Sequence, residues 1–452
     1  MLGLSIASLS REGDRLRWKD DIMGLSFDNP SIIKNIYKGN FGIEKESLRI
    51  DENGFLSHTN HPFDNNPNID RDFCENQVEI VTDVCSDTAA VFSSLSDLHN
   101  NVVKNLANLE SGRELLWLFS NPPYVKGEND IPIASFKGKL RGKEIYRKYL
   151  AEKYGKKKML FSGIHFNFSF SDDLIESGLC DSAYKSVSEY KNSLYLELAK
   201  NITRYSWLIV YLTAASPVMD GSFFDSASIG KDIISPFSSA RCSEIGYWNE
   251  FIPVLKYDTL DDYVESIQKY IDNGSLKSAS ELYYPIRLKP MGENSLEALK
   301  ANGVNHIELR MLDLNPLSPV GIFKEDIDFL HILILYLSSL GDEAFSESEQ
   351  LCAVRNVKRA AKYDDENTFI DFKGDKLPTK KAAQLVLSDM QEFFERHNQE
   401  KALKILDYQM NKITDKGKRY VEIIREKFGR DYVKNGVQLS SGYAEKLQKE
   451  GS

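Results

Sequence analysis

The strict alternation in SGIHFNFSFS, residues 162–171, is the feature that most constrains the fold. Apolar side chains occupy every second position from Ile164 to Phe170, and small or polar residues such as His165 and Asn167 alternate with them. Because successive side chains of a strand point to opposite faces, this pattern predicts one buried face and one polar face. A sheet of such strands needs helices on its apolar side, so we expect an α+β protein.

Further segments are predicted to be strands, and most pair an apolar face with a small or polar one. Long amphipathic segments that could cover the apolar faces are predicted helices at about 87–109, at about 181–215 and over most of the chain after about 324. The predicted strands are FGIEKESLRI (41–50), DFCENQVEIVTDV (72–84), SGIHFNFSFS (162–171), ELYYPIRLKP (281–290) and HIELRMLDL (306–314).

Four of these polar faces carry carboxylates, an imidazole and a guanidinium, and lysine is absent from them. A strand face turned to water would carry lysine, threonine and mixed charges instead. Each residue alone has a simpler interpretation, such as a solvated acid or a core histidine. Together they predict a site for hard divalent cations and phosphate. The set is Glu44, Glu46, Glu79, His165, Asn167, Glu308 and Arg310.

Several other site classes lack support in the sequence. There is no GxxxxGK[ST] loop and no strand-linked GxGxxG, so phosphate would be held by metal ions on carboxylates and by arginines. There is no GxSxG, and nothing marks one of the five cysteines as an activated nucleophile. The formal net charge of -10 argues against nucleic acid and anionic membranes as partners.

The cysteines and the apolar runs bear on the compartment. Five scattered cysteines without a CxxC fit a reducing environment. The longest apolar runs, 206–219 and 329–340, are shorter than the roughly 20 residues that a membrane span needs. We therefore expect a cytoplasmic protein.

The chain is predicted to have three parts. Residues 1–28 form a loosely attached N-terminal extension, with Met23 as a candidate natural start. Residues 29–345 form a catalytic core domain, and residues 346–452 form a helical region packed on that core. No internal repeat and no obvious linker divides the chain further.

Between about residues 38 and 345, seven motifs in series resemble the bacterial glutamate–cysteine ligase (γ-glutamylcysteine synthetase) family. The resemblance implies a curved, mainly antiparallel sheet that forms a funnel-like half-barrel, related to the glutamine synthetase catalytic core and covered by helices. The motifs are FGIEKESLR, DFCENQVEIVTD, SGIHFNFS, YSWLIVYLTAASP, SSARCSEIGY, ELYYPIR and VNHIELRMLDLNPLSPVG.

The resemblance also implies the reaction. ATP would phosphorylate the γ-carboxylate of L-glutamate, and the amine of L-cysteine would displace the phosphate, which is the first step of glutathione biosynthesis. The cofactor would be Mg²⁺, about two or three ions, with Mn²⁺ as an alternative. Two alternatives stay open: a related ligase that joins glutamate to another amine, and a catalytically silent regulatory homologue.

No ATP-grasp-like glycine-rich region is present, so the fused two-step enzyme is not predicted, although a fragment of one stays open. The expected partners are small-molecule substrates. The oligomeric state is not readable from the sequence, and a monomer is favoured.

By position, the resemblance implies roles for individual residues. Glu44, Glu46, Glu79, His165 and Glu308 match metal-site positions. Arg310 matches an arginine at the transferred phosphoryl group, and Asn167 is assigned to substrate binding. Arg241 and Arg141 match substrate or phosphate arginines, Tyr247 and Tyr283 shape the cysteine pocket, and Asp72 lies near the incoming amine. That Asp72 is the general base is a hypothesis, and Lys45 and Ser47 are expected to face away from the chemistry, at little cost when mutated.

Overall fold

The computed structural model describes residues 24–341 and 343–450. Its strands lie mainly in the first three quarters of this range. They are β1 (Gly39–Ile50), β2 (Ile69–Arg71), β3 (Gln77–Val81), β4 (Leu115–Leu116), β5 (Gly163–Phe170), β6 (Val218–Asp220), β7 (Asp232–Ile234), β8 (Ile286–Lys289), β9 (His306–Asp313), β10 (Phe369–Phe372) and β11 (Asp375–Pro378).

Helices surround these strands and make up most of the chain after β9. They are α1 (Pro30–Asn35), α2 (Thr88–Leu106), α3 (Arg141–Tyr154), α4 (Asp172–Cys180), α5 (Val187–Thr213), α6 (Leu260–Asp272), α7 (Leu296–Asn302), α8 (Lys324–Ser339), α9 (Glu347–Ala360), α10 (Thr379–Arg396), α11 (Glu400–Thr414), α12 (Tyr420–Phe428) and α13 (Tyr432–Glu450). No helix in the described ranges combines the length and the apolar character that crossing a bilayer requires.

One seven-stranded antiparallel sheet organises the protein. Its strands follow the order β2-β3-β1-β5-β9-β8, and β4 pairs with the end of β1. Within the described residues the sheet is open, with β2 and β8 at its edges. The predicted α+β class with an antiparallel sheet is confirmed.

Helices cover the apolar face of the sheet. Phe41 on β1 and Phe166 and Phe168 on β5 are fully buried, and the Phe41 ring lies 4.9 Å from the His331 ring on α8. The long helix α5 packs on α8 and on β9 and is buried over its second half. The alternation in β5 therefore has the predicted consequence: the phenylalanines form the core, and the opposite face is left for His165 and Asn167.

Some predicted elements begin later than expected. Helix α5 starts after Ser186, whose side chain accepts a hydrogen bond from the backbone N–H of Glu189 and caps the helix. Strand β8 starts only at Ile286, because Tyr283 instead donates its N–H to Asn249 Oδ1 at 2.9 Å. Such side-chain contacts, one of them local and the other between residues 34 positions apart, move the ends of elements without changing their type.

The described part of the predicted N-terminal extension, residues 24–28, is packed. Leu25 and Phe27 are buried, and the N–H of Leu25 donates to the Ser338 carbonyl at 2.8 Å. Residues 1–23 of the extension, including Met23, lie outside the described residues. The division of the chain into three parts stays a prediction.

Polar contacts fasten the C-terminal helices to the core. Buried Lys412 on α11 donates to Asp326 Oδ1 on α8 at 2.9 Å, and the Tyr420 hydroxyl donates to Asp326 Oδ2 at 2.8 Å. Because Asp326 is buried, removing the Tyr420 hydroxyl would cost Oδ2 its donor, and removing Lys412 would leave Oδ1 with Gln409 Nε2 at 3.2 Å and without its positive partner. These helices are thus joined to the sheet by directional bonds as well as by apolar packing.

Candidate active site

Strands β1 and β5 bring an acid and a histidine together on the polar face of the sheet. Glu44 and His165 are directly paired in the register, and Glu44 Oε2 lies 3.0 Å from His165 Nδ1. Asn167, two residues along β5, donates to Glu44 Oε1 at 3.0 Å. Both oxygens of the Glu44 carboxylate are therefore held in place by the neighbouring strand.

Glu46 lies deeper in the same face and opposite Glu79 of β3. Its Oε2 accepts the backbone N–H of Gly163 at 3.1 Å, and its Oε1 lies 3.7 Å from His165 Nε2. Burial and the nearby Asp72 carboxylate raise the pKa of Glu46 to about 8. Burial, together with three neighbouring carboxylates, also raises the pKa of Glu79 well above its usual value.

Strand β9 contributes the third side of the cluster. Glu308 Oε1 accepts a close hydrogen bond from Arg310 Nη1 and lies 3.4 Å from His165 Nδ1. Glu308 Oε2 lies 3.3 Å from Lys289 Nζ and 3.8 Å from Arg287 Nη1. Burial alone would raise the pKa of Glu308, but these cations outweigh burial and hold it well below the usual range.

The cluster has the donor chemistry of a divalent-cation site. Ligand atoms of Glu44, His165 and Glu308 all lie within 4.8 Å of one another. His165 Nε2 is buried without a hydrogen-bond partner among the described residues, and it points toward Glu46. Beside this nitrogen, Glu46 and Glu79 have pKa values raised by burial and by neighbouring carboxylates, so this part of the cluster lacks positive charge. These residues therefore fit a hard cation held by oxygen and imidazole ligands.

A small, half-open cavity of about 40 Å³ lies beside the cluster. The rings of Tyr247 and Tyr283 pack 4.4 Å apart in its wall. Arg241 and Arg310 are its charged lining residues, and Arg310 is also the residue that pairs with Glu308. The full lining is Arg241, Cys242, Tyr247, Trp248, Tyr283, Tyr284, Pro285, Arg310 and Met311.

Arg241 and Arg310 are joined directly. Arg241 is buried, and its Nη1 donates to the backbone carbonyl of Arg310 at 2.7 Å. Two guanidinium groups thus line one wall, where they can bind carboxylate or phosphoryl oxygens in a forked geometry.

Asp72 lies at the edge of the acid cluster, between β2 and β3. Its side chain is about one third exposed, and its charge helps to raise the pKa values of Glu46 and Glu79. Arg147 on α3 donates through Nε to the Asp72 carbonyl, and Arg147 Nη2 lies 3.8 Å from Asp72 Oδ1. Helix α3 therefore reaches the site through Arg147.

The structure brings most of the residues predicted from the sequence into this region, with one exception. Arg141 is exposed at the first residue of α3 and has no hydrogen-bond or ion-pair partner within residues 24–341 and 343–450. The role of Arg141 as a substrate or phosphate arginine stays a prediction, while Arg147, six residues further along the helix, lies beside Asp72. Sequence reasoning did not single out Arg147, since helical periodicity alone does not say which basic side chain crosses to the sheet.

Two further cations were missed. Arg287 and Lys289 share one face of β8 and both approach Glu308. In ELYYPIRLKP the two-residue alternation of a strand places Lys289 on the same face as Arg287, so this pattern could have identified Lys289. Its proximity to Glu308 depends on the pairing of β8 with β9, which the sequence does not specify.

Comparisons with known proteins identify the family of the chain. The family model for glutamate-cysteine ligase matches residues 26–277 and 271–360. The glutathione biosynthesis bifunctional protein of Listeria monocytogenes is 37% identical over 357 residues, which cover 76% of this chain and 45% of that protein. Its counterpart in Clostridium perfringens is 36% identical over 373 residues, covering 79% of this chain and 47% of that protein. The chain thus spans about half the length of the curated relatives that it matches.

Two solved structures are similar over most of the chain. A bifunctional glutathione synthetase from Pasteurella multocida matches with a TM-score of 0.80 and 28% identity, covering 94% of this chain and 55% of that one. A glutamate–cysteine ligase from Francisella tularensis matches with a TM-score of 0.79 and 23% identity, covering 91% and 89% respectively. At that identity the second match supports the fold alone.

Proposed function

Because the chain belongs to the glutamate-cysteine ligase family, we propose that it joins the γ-carboxylate of L-glutamate to the amine of L-cysteine with ATP. The observation that carries this proposal is the acid–histidine cluster of Glu44, His165 and Glu308 beside a cavity lined by Arg241 and Arg310. A site that transfers a phosphoryl group to a carboxylate needs cation ligands and arginines next to a pocket for the substrate that carries the carboxylate.

The proposed reaction has two steps. An oxygen of the glutamate γ-carboxylate attacks the terminal phosphorus of ATP, and ADP leaves. The cysteine nitrogen then attacks the carbonyl carbon of the γ-glutamyl phosphate, the phosphate leaves, and the amine loses a proton. Holding three substrates together can supply roughly 7–11 kcal/mol of the barrier through positioning alone.

Glu44, Glu46, Glu79, His165 and Glu308 would hold Mg²⁺, which would supply positive charge at the phosphate oxygens. Other residues of the chain orient these ligands and bind the phosphoryl group. Asn167 and the Gly163 N–H keep the Glu44 and Glu46 carboxylates oriented. Arg310 presents its fork toward the transferred phosphoryl group while Glu308 and His165 fix one of its nitrogens.

Arg241 and the tyrosines complete the proposed substrate sites. Arg241 binds a substrate carboxylate or phosphoryl oxygen from the cavity wall that it shares with Arg310. Tyr247 and Tyr283 form the aromatic side of the pocket for the incoming amine. A funnel-like curvature of the sheet would help to keep water from the acyl phosphate, which otherwise hydrolyses.

Asp72 is the proposed general base for the incoming amine. Its carboxylate is partly exposed and close to the acid cluster, where a base could take the proton that the attacking nitrogen loses. Asp72→Asn keeps the size and the polarity of the side chain but removes the base. We expect kcat with cysteine to fall at least about tenfold, within the range found for general-base residues. An unchanged kcat would exclude this role.

The second candidate is a ligase that joins glutamate to another amine. The observation behind it is that aromatic and apolar walls such as Tyr247 and Tyr283 discriminate between small side chains by only about 1–3 kcal/mol. Phosphate release should therefore be measured with ATP, glutamate and a panel of cysteine, 2-aminobutyrate, serine and alanine at several Mg²⁺ concentrations.

We expect Mg²⁺-dependent release that is fastest with cysteine. Release only with non-thiol amines would favour the second candidate. No release with any amine would contradict both and favour a silent homologue.

A further inference from the structure

Gly163, the first residue of β5, lies between the acid cluster and Arg241. Its N–H donates to Glu46 Oε2, while its Cα faces the Arg241 guanidinium. A methyl group at this position would overlap Cζ and Nε of Arg241 and would lie 2.7 Å from Nη2. The backbone of Gly163 does not have a positive φ, so it is the neighbouring arginine and not the backbone conformation that leaves no room for a side chain.

A second glycine meets the same arginine at its backbone. A methyl group at Gly246 would overlap the carbonyl oxygen of Arg241 and would lie 3.1 Å from the Ala240 oxygen. Gly246 also lacks a positive φ. Arg241 therefore occupies a slot formed by Gly163 at its guanidinium and Gly246 at its carbonyl.

The guanidinium and the carbonyl of Arg241 differ in how easily they can move away from an added methyl group. The guanidinium is the end of a flexible side chain and can move away from a methyl group at Gly163. The Arg241 carbonyl belongs to the backbone and cannot move without displacing its neighbours. Substituting Gly163 should therefore shift the Arg241 side chain and leave the fold intact, which makes Gly163 the informative position.

The position of Arg241 against Gly163 allows Arg241 to bond to the residue that carries the second guanidinium of the site. Lying against β5, Arg241 reaches the Arg310 carbonyl on β9 at 2.7 Å. That bond ties the loop that carries Arg241 to β9, and both arginines line the cavity. If the guanidinium were pushed off Gly163, this bond and the position of the fork would be lost together.

We propose that Gly163 is a positioning residue for Arg241: its missing side chain is what lets Arg241 lie across β5 and present its guanidinium to an anionic substrate group. The role in activity rests on the proposed function, because that function requires Arg241 to bind a carboxylate or phosphoryl oxygen. The steric part rests on geometry alone.

The test is a double-mutant cycle of Gly163→Ala and Arg241→Ala, with Gly442→Ala as the control. Gly442 lies on α13, where an added methyl group meets nothing within 4 Å. We expect Gly163→Ala to lower kcat/KM for glutamate at least about tenfold in the parent protein and less than about twofold in the Arg241→Ala background, because coupled residues are not additive. Gly442→Ala should leave kcat/KM unchanged.

Thermal unfolding gives a readout that does not depend on catalysis. In the parent protein Gly163→Ala should lower Tm, because the displaced arginine loses its bond to Arg310. In the Arg241→Ala background the same change should leave Tm unchanged or raise it, because the overlap is gone and alanine loses less backbone entropy than glycine.

Each outcome decides between the alternatives. Equal losses of kcat/KM and Tm from Gly163→Ala in both backgrounds would overturn the proposal, since Gly163 would then act independently of Arg241. An Arg241→Ala variant with normal kcat/KM would contradict the proposed function of Arg241 and the positioning role with it, even if the Tm coupling persisted.

Discussion

Glu44 and His165 lie directly opposite each other on β1 and β5, with Glu44 Oε2 3.0 Å from His165 Nδ1. Two ligand candidates from different strands are thus brought together by the pairing register of the sheet. A slip of one residue would turn one of them to the apolar face. The apolar alternation that drives burial of Phe166 and Phe168 therefore also sets the geometry of the site.

Glu46→Gln separates metal-dependent activity from folding. The amide keeps an oxygen for the Gly163 N–H but loses the charge that would hold a cation. We expect kcat at saturating Mg²⁺ to fall more than about tenfold, since removing even supporting groups of a metal site costs that much. The control is Glu52→Gln, an exposed acid. A near-normal kcat for Glu46→Gln would refute the assignment of Glu46 to the metal site.

Glu46→Gln should also stabilise the protein in a pH-dependent way when metal is removed with EDTA. The folded state raises the pKa of Glu46 to about 8, so burying this acid costs free energy above the unfolded pKa of about 4.3 and the full cost is reached near pH 8. Glu46→Gln should therefore raise Tm at pH 8 and have little effect near pH 4. A lower Tm at pH 8 would contradict this.

Arg310→Lys tests the need for a forked cation. Arg310 contacts Glu308 and His165 through a single nitrogen, which leaves the rest of the guanidinium for a ligand. Lysine keeps the charge and loses the fork, so we expect kcat to fall at least about tenfold. Arg396→Lys on the exposed face of α10 is the matched control. A change in kcat below about twofold for Arg310→Lys would show that the fork is not needed.

Arg147 and Arg141 form a matched pair on α3. Arg147 donates to the carbonyls of Asp72 and Arg71, whereas the exposed Arg141 makes no hydrogen bond or ion pair with a described residue. We expect Arg147→Ala to lower the free energy of unfolding by about 1–3 kcal/mol and to reduce kcat/KM, and Arg141→Ala to stay within about 0.5 kcal/mol. Urea denaturation and steady-state kinetics measure both effects. Equal effects of the two substitutions would contradict this placement.

The strand pattern predicted which side chains share a face, because the period of a strand is two and does not depend on what surrounds it. Glu44, Glu46, His165 and Glu308 share a face for that reason. The register that places Glu46 opposite Glu79 comes from long-range pairing, and no local pattern contains it. Arg147 reaches the sheet from a helix over a long side chain, which is why periodicity did not find it.

Lys45, on the opposite face of β1, also shows that a local pattern does not predict long-range packing. The alternation predicts that Lys45 faces away from the acids, and its Nζ does lie 3.0 Å from both Ser47 Oγ and His99 Nδ1 on α2. The pattern could not say that this face is covered so completely that Lys45 is fully buried. The expectation that its substitution costs little activity stays a prediction, but an effect of pH on stability now follows.

Lys45→Met should change the pH dependence of stability. Burial lowers the pKa of Lys45 to about 7, while the unfolded chain keeps its proton up to a pKa of about 10.4. From pH 7 to pH 10 the parent protein should therefore gain stability relative to Lys45→Met, by up to about 1.4 kcal/mol per pH unit. Urea denaturation across this range measures the gain, with exposed Lys38→Met as the control. Parallel curves for parent and Lys45→Met would contradict a buried, neutral lysine.

The proposed function depends on activation of the γ-carboxylate of glutamate by phosphorylation. The most direct measurement uses glutamate labelled with ¹⁸O in the γ-carboxylate, together with ATP, Mg²⁺ and cysteine, and reads the released phosphate by mass spectrometry. Because the carboxylate oxygen that attacks phosphorus leaves with it, we predict one ¹⁸O per phosphate in step with γ-glutamylcysteine formation. Phosphate that carries no ¹⁸O while the dipeptide forms would contradict the acyl phosphate route.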